Sequence, residues 1–166
     1  MPKDLDELYL QYMKDVYRYL LFLCNDHYTA EDLVQDTFTR AYMYLEQFNG
    51  EKVKPWLLRV AHNAFIDYTR KAKRITVRED QFFLSRLEHG DTPEQRMLQQ
   101  ERLSELGRAI AALPEKQKQA VLLSDWQELT YQEGADVMGI SLSHFKILLY
   151  RGRQSLRQSR KEGMEL

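Results

Sequence analysis

Trp56, Arg59, Asn63, Asp67, Arg70 and Arg74 recur three or four residues apart within "KPWLLRVAHNAFIDYTRKAKR" (54–74). On a helix that spacing gathers them on one side. The face mixes an aromatic ring, an amide and cations, with Lys71 and Lys73 nearby. A ring can stack on a base or wedge beside it, an amide can read the edge of an unpaired base, and cations track phosphates. This chemistry suits a single strand or a melting duplex better than an intact major groove. Bland readings compete with it. A tryptophan near a helix start commonly packs in a core, and Asp67 can pair with Arg70 or Lys71 at helical spacing for only a few tenths of a kcal/mol. His62 in the same run has a surface or helix-packing role as its default.

A second stretch, "LTYQEGADVMGISLSHFKILLYRGRQSLR" (129–157), reads as two short helices around a Gly-Ile-Ser step. Thr130 and Glu133 form a capping box, Gly139 suits the left-handed residue that ends a helix, and Ser141 caps the next. Ile140 and Phe145 are placed to staple that helix, and Leu142, Phe145, Leu149 and Leu156 point inward. Ser143, His144, Lys146, Ile147, Tyr150, Arg151 and Arg153 are left outward. Short polar and apolar tips at the N-terminal half fit base edges, and the guanidinium groups further along fit phosphates. Ile147 or Tyr150 could touch a thymine methyl. A helical hairpin with a solvated arginine face is the competing reading.

Nothing comparable suggests catalysis. His27, His62, His89 and His144 are scattered without metal-ligand spacing, and Cys24 lies in an apolar run with no evident histidine partner. No glycine-rich phosphate loop appears, and "AEDLVQD" (30–36) offers carboxylates on one face only. No catalytic residue, metal or cofactor is expected.

The elements that must position these faces are helical. Proline and glycine are scarce, at 4 and 7 of 166 residues, which favours helix over turns and sheets. Leu5, Leu8, Tyr9, Tyr12, Val16, Tyr19, Leu20 and Leu23 form one apolar stripe, broken at 25–28. Thr29 is the expected N-cap of a second helix that buries Ala30, Leu33, Val34, Phe38, Ala41 and Leu45 and exposes Asp32, Gln35, Asp36 and Thr39. After a loop at 48–54, Pro55 suits the first turn of a third helix running to about Arg74, with Leu57, Val60, Ala61, Ala64 and Tyr68 buried. Residues 78–94 lose helical order. A second unit starts near Pro93, with Leu103, Leu106, Ile110 and Leu113 on one face, and a helix follows from about Glu115 to Ser124. The expected fold is all-α: two small helical domains, 1–77 and 95–166, joined by a flexible linker at 78–94, the second containing the helix-turn-helix.

Net charge is −1, which by itself argues against a nucleic-acid partner. Its distribution argues for one. Residues 52–78 carry eight basic side chains against one acidic, and 141–166 carry six against two, while 1–51 and 79–140 are each net −6. Binding phosphate needs local positive charge, not global. The single cysteine excludes an internal disulfide, and no apolar run reaches the roughly 18 residues of a membrane span. A cytoplasmic setting without membrane insertion is expected.

"AEDLVQDTFTRAY" (30–42), then the tryptophan-bearing basic helix, then "YQEGADVMGISLSHFKILLYRGRQSLR" (131–157) together resemble the extracytoplasmic-function sigma factors of the bacterial sigma-70 family, in order and over nearly the whole chain. The resemblance implies a subunit that binds core RNA polymerase, directs it to promoters of a stress-type regulon and promotes strand opening. It implies that Asp32, Gln35 and Asp36 grip the β′ clamp helices, with the β flap as a further polymerase contact. Trp56, Arg59, His62, Asn63, Arg70 and Arg74 match the segment that reads the minus-10 element, Asn63 falling where the family reads a flipped-out base and residues 46–54 where a loop helps to hold it. Ser143, His144, Lys146, Ile147, Arg151 and Arg153 match the helix that reads the minus-35 duplex. A membrane-anchored anti-sigma protein, common in the family, is a candidate partner.

The pattern departs from the family at Gly134, usually a larger aliphatic, at Gly152, usually alanine, and at Ile147 and Leu148, often polar. A helical glycine costs about 1 kcal/mol against alanine unless it permits close packing. The alternative reading is a stand-alone helix-turn-helix regulator. That class needs a sensing domain, and residues 1–77 offer no evident ligand cradle.

Overall fold

The computed structural model describes residues 4–48, 52–74 and 92–164, with only the backbone described at 74, 163 and 164. Every regular element among the described residues is helical. Helix α1 (Leu5–Cys24) starts at Asp4, whose carboxylate accepts from the Glu7 amide at 2.9 Å. It ends at Asn25 in the left-handed region, φ 56°, which asparagine tolerates better than most residues. Helix α2 (His27–Tyr44) follows at once. Asp26, not the expected Thr29, is its N-cap. The Asp26 carboxylate accepts from both the amide and the hydroxyl of Thr29, at 3.2 and 2.6 Å. A carboxylate is the stronger acceptor, so the cap moves three residues upstream and Thr29 is buried in the first turn. A 3-10 turn (Leu45–Gln47) closes the helix, and α3 (Val53–Arg74) starts two residues before Pro55.

The three helices pack on one another. The expected residues Leu8, Val16, Ala30, Phe38, Leu57 and Ala61 are buried, while Leu45, Val60 and Tyr68 are half-buried. Helix α3 also buries an unexpected stripe, Leu58, His62 and Phe65. Two contacts aim it at α1: His62 Nδ1 lies 3.0 Å from the Tyr19 hydroxyl, and Lys54 Nζ lies 3.8 Å from an Asp15 carboxylate oxygen.

The second half contains α4 (Pro93–Leu103), α5 (Glu105–Ala111), α6 (Glu115–Val121), α7 (Tyr131–Met138) and α8 (Leu142–Met164). Thr92 and Gln95 form a reciprocal capping box that opens α4 inside the expected linker, and residues 78–91 of that linker lie outside the described residues. The single apolar face expected over 103–113 does not form. Ser104 ends α4 and caps α5, so the helix axis breaks there. Ile110 and Leu113 are buried, but Leu103 and Leu106 are exposed. The helix expected to reach Ser124 becomes α6 and then a π-helical turn (Leu122–Trp126), in which the Gln127 amide donates to the Leu122 carbonyl at 2.9 Å.

The two halves touch. Helix α3 lies against α7, and α1 against α4, α5 and α6. Buried Gln127 donates from Nε2 to the Asp15 backbone carbonyl at 2.9 Å. Lys52 approaches Glu133 at 3.6 Å, Gln95 Nε2 donates to Glu31 at 2.6 Å, and Arg18 pairs with Glu101. These polar contacts are characteristic of interfaces between domains.

Candidate nucleic-acid interface

The end of α2 and the outer face of α3 enclose an open groove of about 640 Å³. Trp56, Arg59, Asn63 and Arg70 line it, as the helical spacing predicted. Arg59, Asn63 and Arg70 are exposed, while Trp56 is half-buried with its ring 5.1 Å from that of Phe48. Tryptophan is therefore neither core nor free. It is held by an aromatic neighbour while one side borders the groove, an arrangement suited to receiving a base. The opposite wall comes from α2 and the 3-10 turn that follows it: Arg40, Met43, Tyr44 and Gln47. Sequence reasoning missed Arg40, Met43 and Tyr44, and reached Gln47 only as part of the 46–54 stretch. Their spacing of three, one and three residues marks a shared helical face and was the available signal.

His62 does not belong to this face. It is 5% exposed and hydrogen-bonded to Tyr19 on α1. Burial lowers its pKa to about 4, so the imidazole is neutral and supplies no cation to DNA. Its assignment to the minus-10 surface is corrected on this ground: on the wheel it lies about 100° from Asn63. The side chain of Arg74, and residues 49–51 of the expected base-holding loop, lie outside the described residues.

Arg40 carries the strongest electrostatic feature of the groove. Its Nη1 donates to Asp67 on α3 at 2.8 Å and its Nε to Asp36 on α2 at 3.2 Å. Partial burial opposes the charge, but the hydrogen bonds to Asp67 and Asp36 more than offset it, so the pKa is raised. Asp32 and Gln35 are exposed and Asp36 is half-exposed on the outer face of α2.

In the second half the helix-turn-helix forms as its caps predict. Thr130 accepts from the Glu133 amide at 3.1 Å while Glu133 accepts from the Thr130 amide at 2.9 Å. Gly139 has φ 66°, the Ile140 amide donates to Ala135 at 3.0 Å, and the His144 amide donates to the Ser141 hydroxyl at 3.1 Å. The two unusual glycines permit close packing. A Cβ on Gly134 would lie 2.4 Å from the fully buried Phe145 ring, and one on Gly152 would lie 2.7 Å from Val121 on α6. Together they seat α8 against both α7 and α6. Leu148 is buried and joins the core.

Ser143, His144, Lys146, Ile147 and Arg151 are exposed along α8. Arg153, on the same helix, is half-buried and paired within the chain. It makes a two-point contact with Asp125, Nε at 3.1 Å and Nη2 at 2.6 Å, and its Nη1 lies 3.4 Å from the Tyr131 hydroxyl. These hydrogen bonds raise its pKa. Arg153 thus ties α8 to the π-turn and to the start of α7. Tyr131, Tyr150 and Arg157 surround the adjacent pocket with Lys146; of these, Tyr131 and Arg157 were missed.

Cys24 sits where α1 meets α6. Burial first, then Asp26 and Glu115, push its thiol up to about 12 against the opposite pull of Lys118. It remains a protonated thiol at neutral pH, unsuited to nucleophilic work. Among the described residues no group of three histidine, cysteine or acidic side chains is placed to hold a metal, and no helix is long and apolar enough to cross a membrane.

Comparison with known proteins agrees with this geometry. The sequence matches Sigma-70 region 2 over residues 8–75 and Sigma-70, region 4 over residues 103–156. It is 40% identical over 154 residues to the ECF RNA polymerase sigma factor SigM of Bacillus subtilis (strain 168), covering 92% of this chain and 93% of the relative. It is 30% identical to the RNA polymerase sigma factor YlaC of the same organism, covering 98% and 95%. The fold resembles that of the Bartonella quintana sigma factor RpoE, solved in complex with the anti-sigma factor NepR, with a TM-score of 0.74, 23% identity and coverage of 96% and 98%. It also resembles CnrH, solved with the cytosolic domain of CnrY, with a TM-score of 0.67, 18% identity and coverage of 95% and 88%. Two family regions matched in order and relatives matched nearly end to end place the chain in one family: it belongs to the extracytoplasmic-function RNA polymerase sigma factors of the sigma-70 family.

Proposed function

We propose that this sigma factor divides its work among three surfaces. Asp32, Gln35 and Asp36 on α2 bind the clamp helices of core polymerase. Trp56, Arg59, Asn63 and Arg70 receive the minus-10 element as its strands part. Ser143, His144, Lys146, Ile147 and Arg151 read the minus-35 duplex. The observation that carries this reading is the groove between α2 and α3, where a stacking ring, an amide and two cations converge on space open to solvent. Binding an opened strand better than a closed duplex shifts the equilibrium toward opening, and holding an extruded base offsets an unstacking cost of a few kcal/mol. The protein performs no bond chemistry of its own and acts in the cytoplasm, where polymerase and template meet. Its regulon is of the stress type. An anti-sigma protein, as found with the sigma factors of similar fold, masks these surfaces until a signal releases it.

The test separates opening from assembly. Asn63→Ala impairs open-complex formation, read by permanganate reactivity of unpaired thymines, while its competition for core polymerase is unchanged. Equal loss of both, or loss of neither, rejects the assignment of Asn63 to base reading.

A further inference from the structure

Groove and polymerase face are joined by one side chain that neither assignment uses. Arg40 sits on α2 between Asp36, on the outer face, and Asp67, across the groove on α3. Its side chain is 28% exposed, against 43% for Asp36 and 45% for Asp67. Both Arg40 and Asp67 line the groove. A carboxylate is out of place there, because a single strand brings a phosphate with every nucleotide and the other charged lining groups, Arg59 and Arg70, are cations. An uncompensated Asp67 would repel the strand and lower the effective charge of its neighbours. Arg40 cancels that charge with a short, charge-assisted hydrogen bond that also spans the two walls.

We propose that Arg40 is a positioning residue for the unpaired strand: it neutralises Asp67, so that Arg59 and Arg70 meet the strand with their charge undiminished, without touching the strand itself. This rests on the reading of the groove as the minus-10 site. Its Nη1 hydrogen bond is directed at α3, and its Nε is directed back along α2, so the guanidinium edge available to DNA is smaller than that of exposed Arg59 or Arg70.

The experiment uses holoenzyme assembled from full-length chain and core polymerase. A fluorescent single-stranded oligonucleotide carrying the non-template minus-10 element is the probe, and competition for core is the second readout. Arg40→Gln weakens oligonucleotide binding about tenfold, equivalent to roughly 1.4 kcal/mol. Competition for core stays unchanged. Asp67→Asn alone binds like the parent, Arg40→Lys retains most affinity, and the double variant Arg40→Gln/Asp67→Asn recovers to within about threefold of the parent, as expected when both members of a charge pair are removed together. Unchanged competition for core also shows that Arg40→Gln folds. Two results overturn the proposal. If the double variant stays as weak as Arg40→Gln and its salt dependence falls by about one phosphate contact, Arg40 touches DNA directly. If competition for core falls in parallel, Arg40 serves the polymerase face. Asn63→Ala separates the proposal from the reading beneath it: should it bind the oligonucleotide like the parent, the minus-10 assignment fails and the role of Arg40 falls with it, whereas a weak Asn63→Ala beside a normal Arg40→Gln rejects Arg40 alone.

Discussion

Replacing Arg153 by alanine tests whether that arginine is a clasp or a DNA contact. Its guanidinium meets Asp125 at two points, 3.1 and 2.6 Å, and leans on the Tyr131 ring at 6.0 Å from the ring centre. Both partners are about one-third exposed, 34% and 32%. At such a site the gross attraction is several kcal/mol, but water and lost side-chain freedom cancel most of it. Two-point geometry keeps the pair near the upper end of the surface range, so a coupling of about 1 kcal/mol is expected between Arg153→Ala and Asp125→Ala in a double-mutant cycle. That coupling corresponds to about a fivefold change in the unfolding equilibrium, or roughly 4–8 °C in Tm for a domain of this size. The assay is urea unfolding of the four full-length chains. In parallel, minus-35 duplex binding by holoenzyme is followed against salt. Arg153→Ala leaves the salt dependence unchanged, whereas Arg151→Ala lowers it by about one phosphate contact. A coupling under about 0.3 kcal/mol, together with a salt dependence that falls for Arg153→Ala, would return Arg153 to the DNA surface and refute the clasp.

Further outcomes follow from the same geometry. His62 has a pKa of about 4 in the fold against about 6.5 in the unfolded chain, so the unfolded chain binds more protons between those values; stability is full above pH 6.5 and falls by roughly 2–3 kcal/mol toward pH 4. His62→Gln removes that part of the acid sensitivity, and urea unfolding at pH 7 and 4.5 measures it; an identical pH dependence in both chains refutes the burial argument. Gly134→Ala places a methyl 2.4 Å from the Phe145 ring, and the overpacking, about 1–3 kcal/mol, exceeds the roughly 1 kcal/mol gained in helix propensity, so Tm falls. A raised Tm would mean the Phe145 ring yields freely. Asp36→Arg places a cation on the polymerase-facing side of α2 and weakens competition for core at least tenfold, about 1.4 kcal/mol; unchanged competition removes Asp36 from that surface.

The sequence made the faces legible and left the pairings hidden. Helical spacing brought Trp56, Arg59, Asn63 and Arg70 together, and the groove gathers those four. Caps placed the helix-turn-helix because Thr130, Glu133, Gly139 and Ser141 act within one or two turns, where sequence distance equals spatial distance. The Arg153 pairing stayed hidden for the opposite reason: its partner Asp125 is 28 residues away, on a turn whose π-helical shape no local pattern announces. His62 failed because α3 is buried by α1 as well as α2, so one apolar stripe understated its contacts. Leu103 and Leu106 looked continuous with Ile110 only while Ser104 was read as a helix interior residue; as a cap it breaks the axis between them. Arg40 has no acidic partner at helical spacing on α3's side of the sequence, and only the approach of α3 reveals that it answers Asp67.

The division of labour between strand-holding groove and duplex-reading helix is tested most directly by run-off transcription on a library of promoter fragments, with purified chain and core polymerase supplied separately and together. Transcripts are expected only from the mixture, and those promoters are expected to lose open-complex signal with Asn63→Ala and duplex affinity with Arg151→Ala. Silence of the mixture on every fragment, or tight promoter binding by the chain without polymerase, contradicts the account.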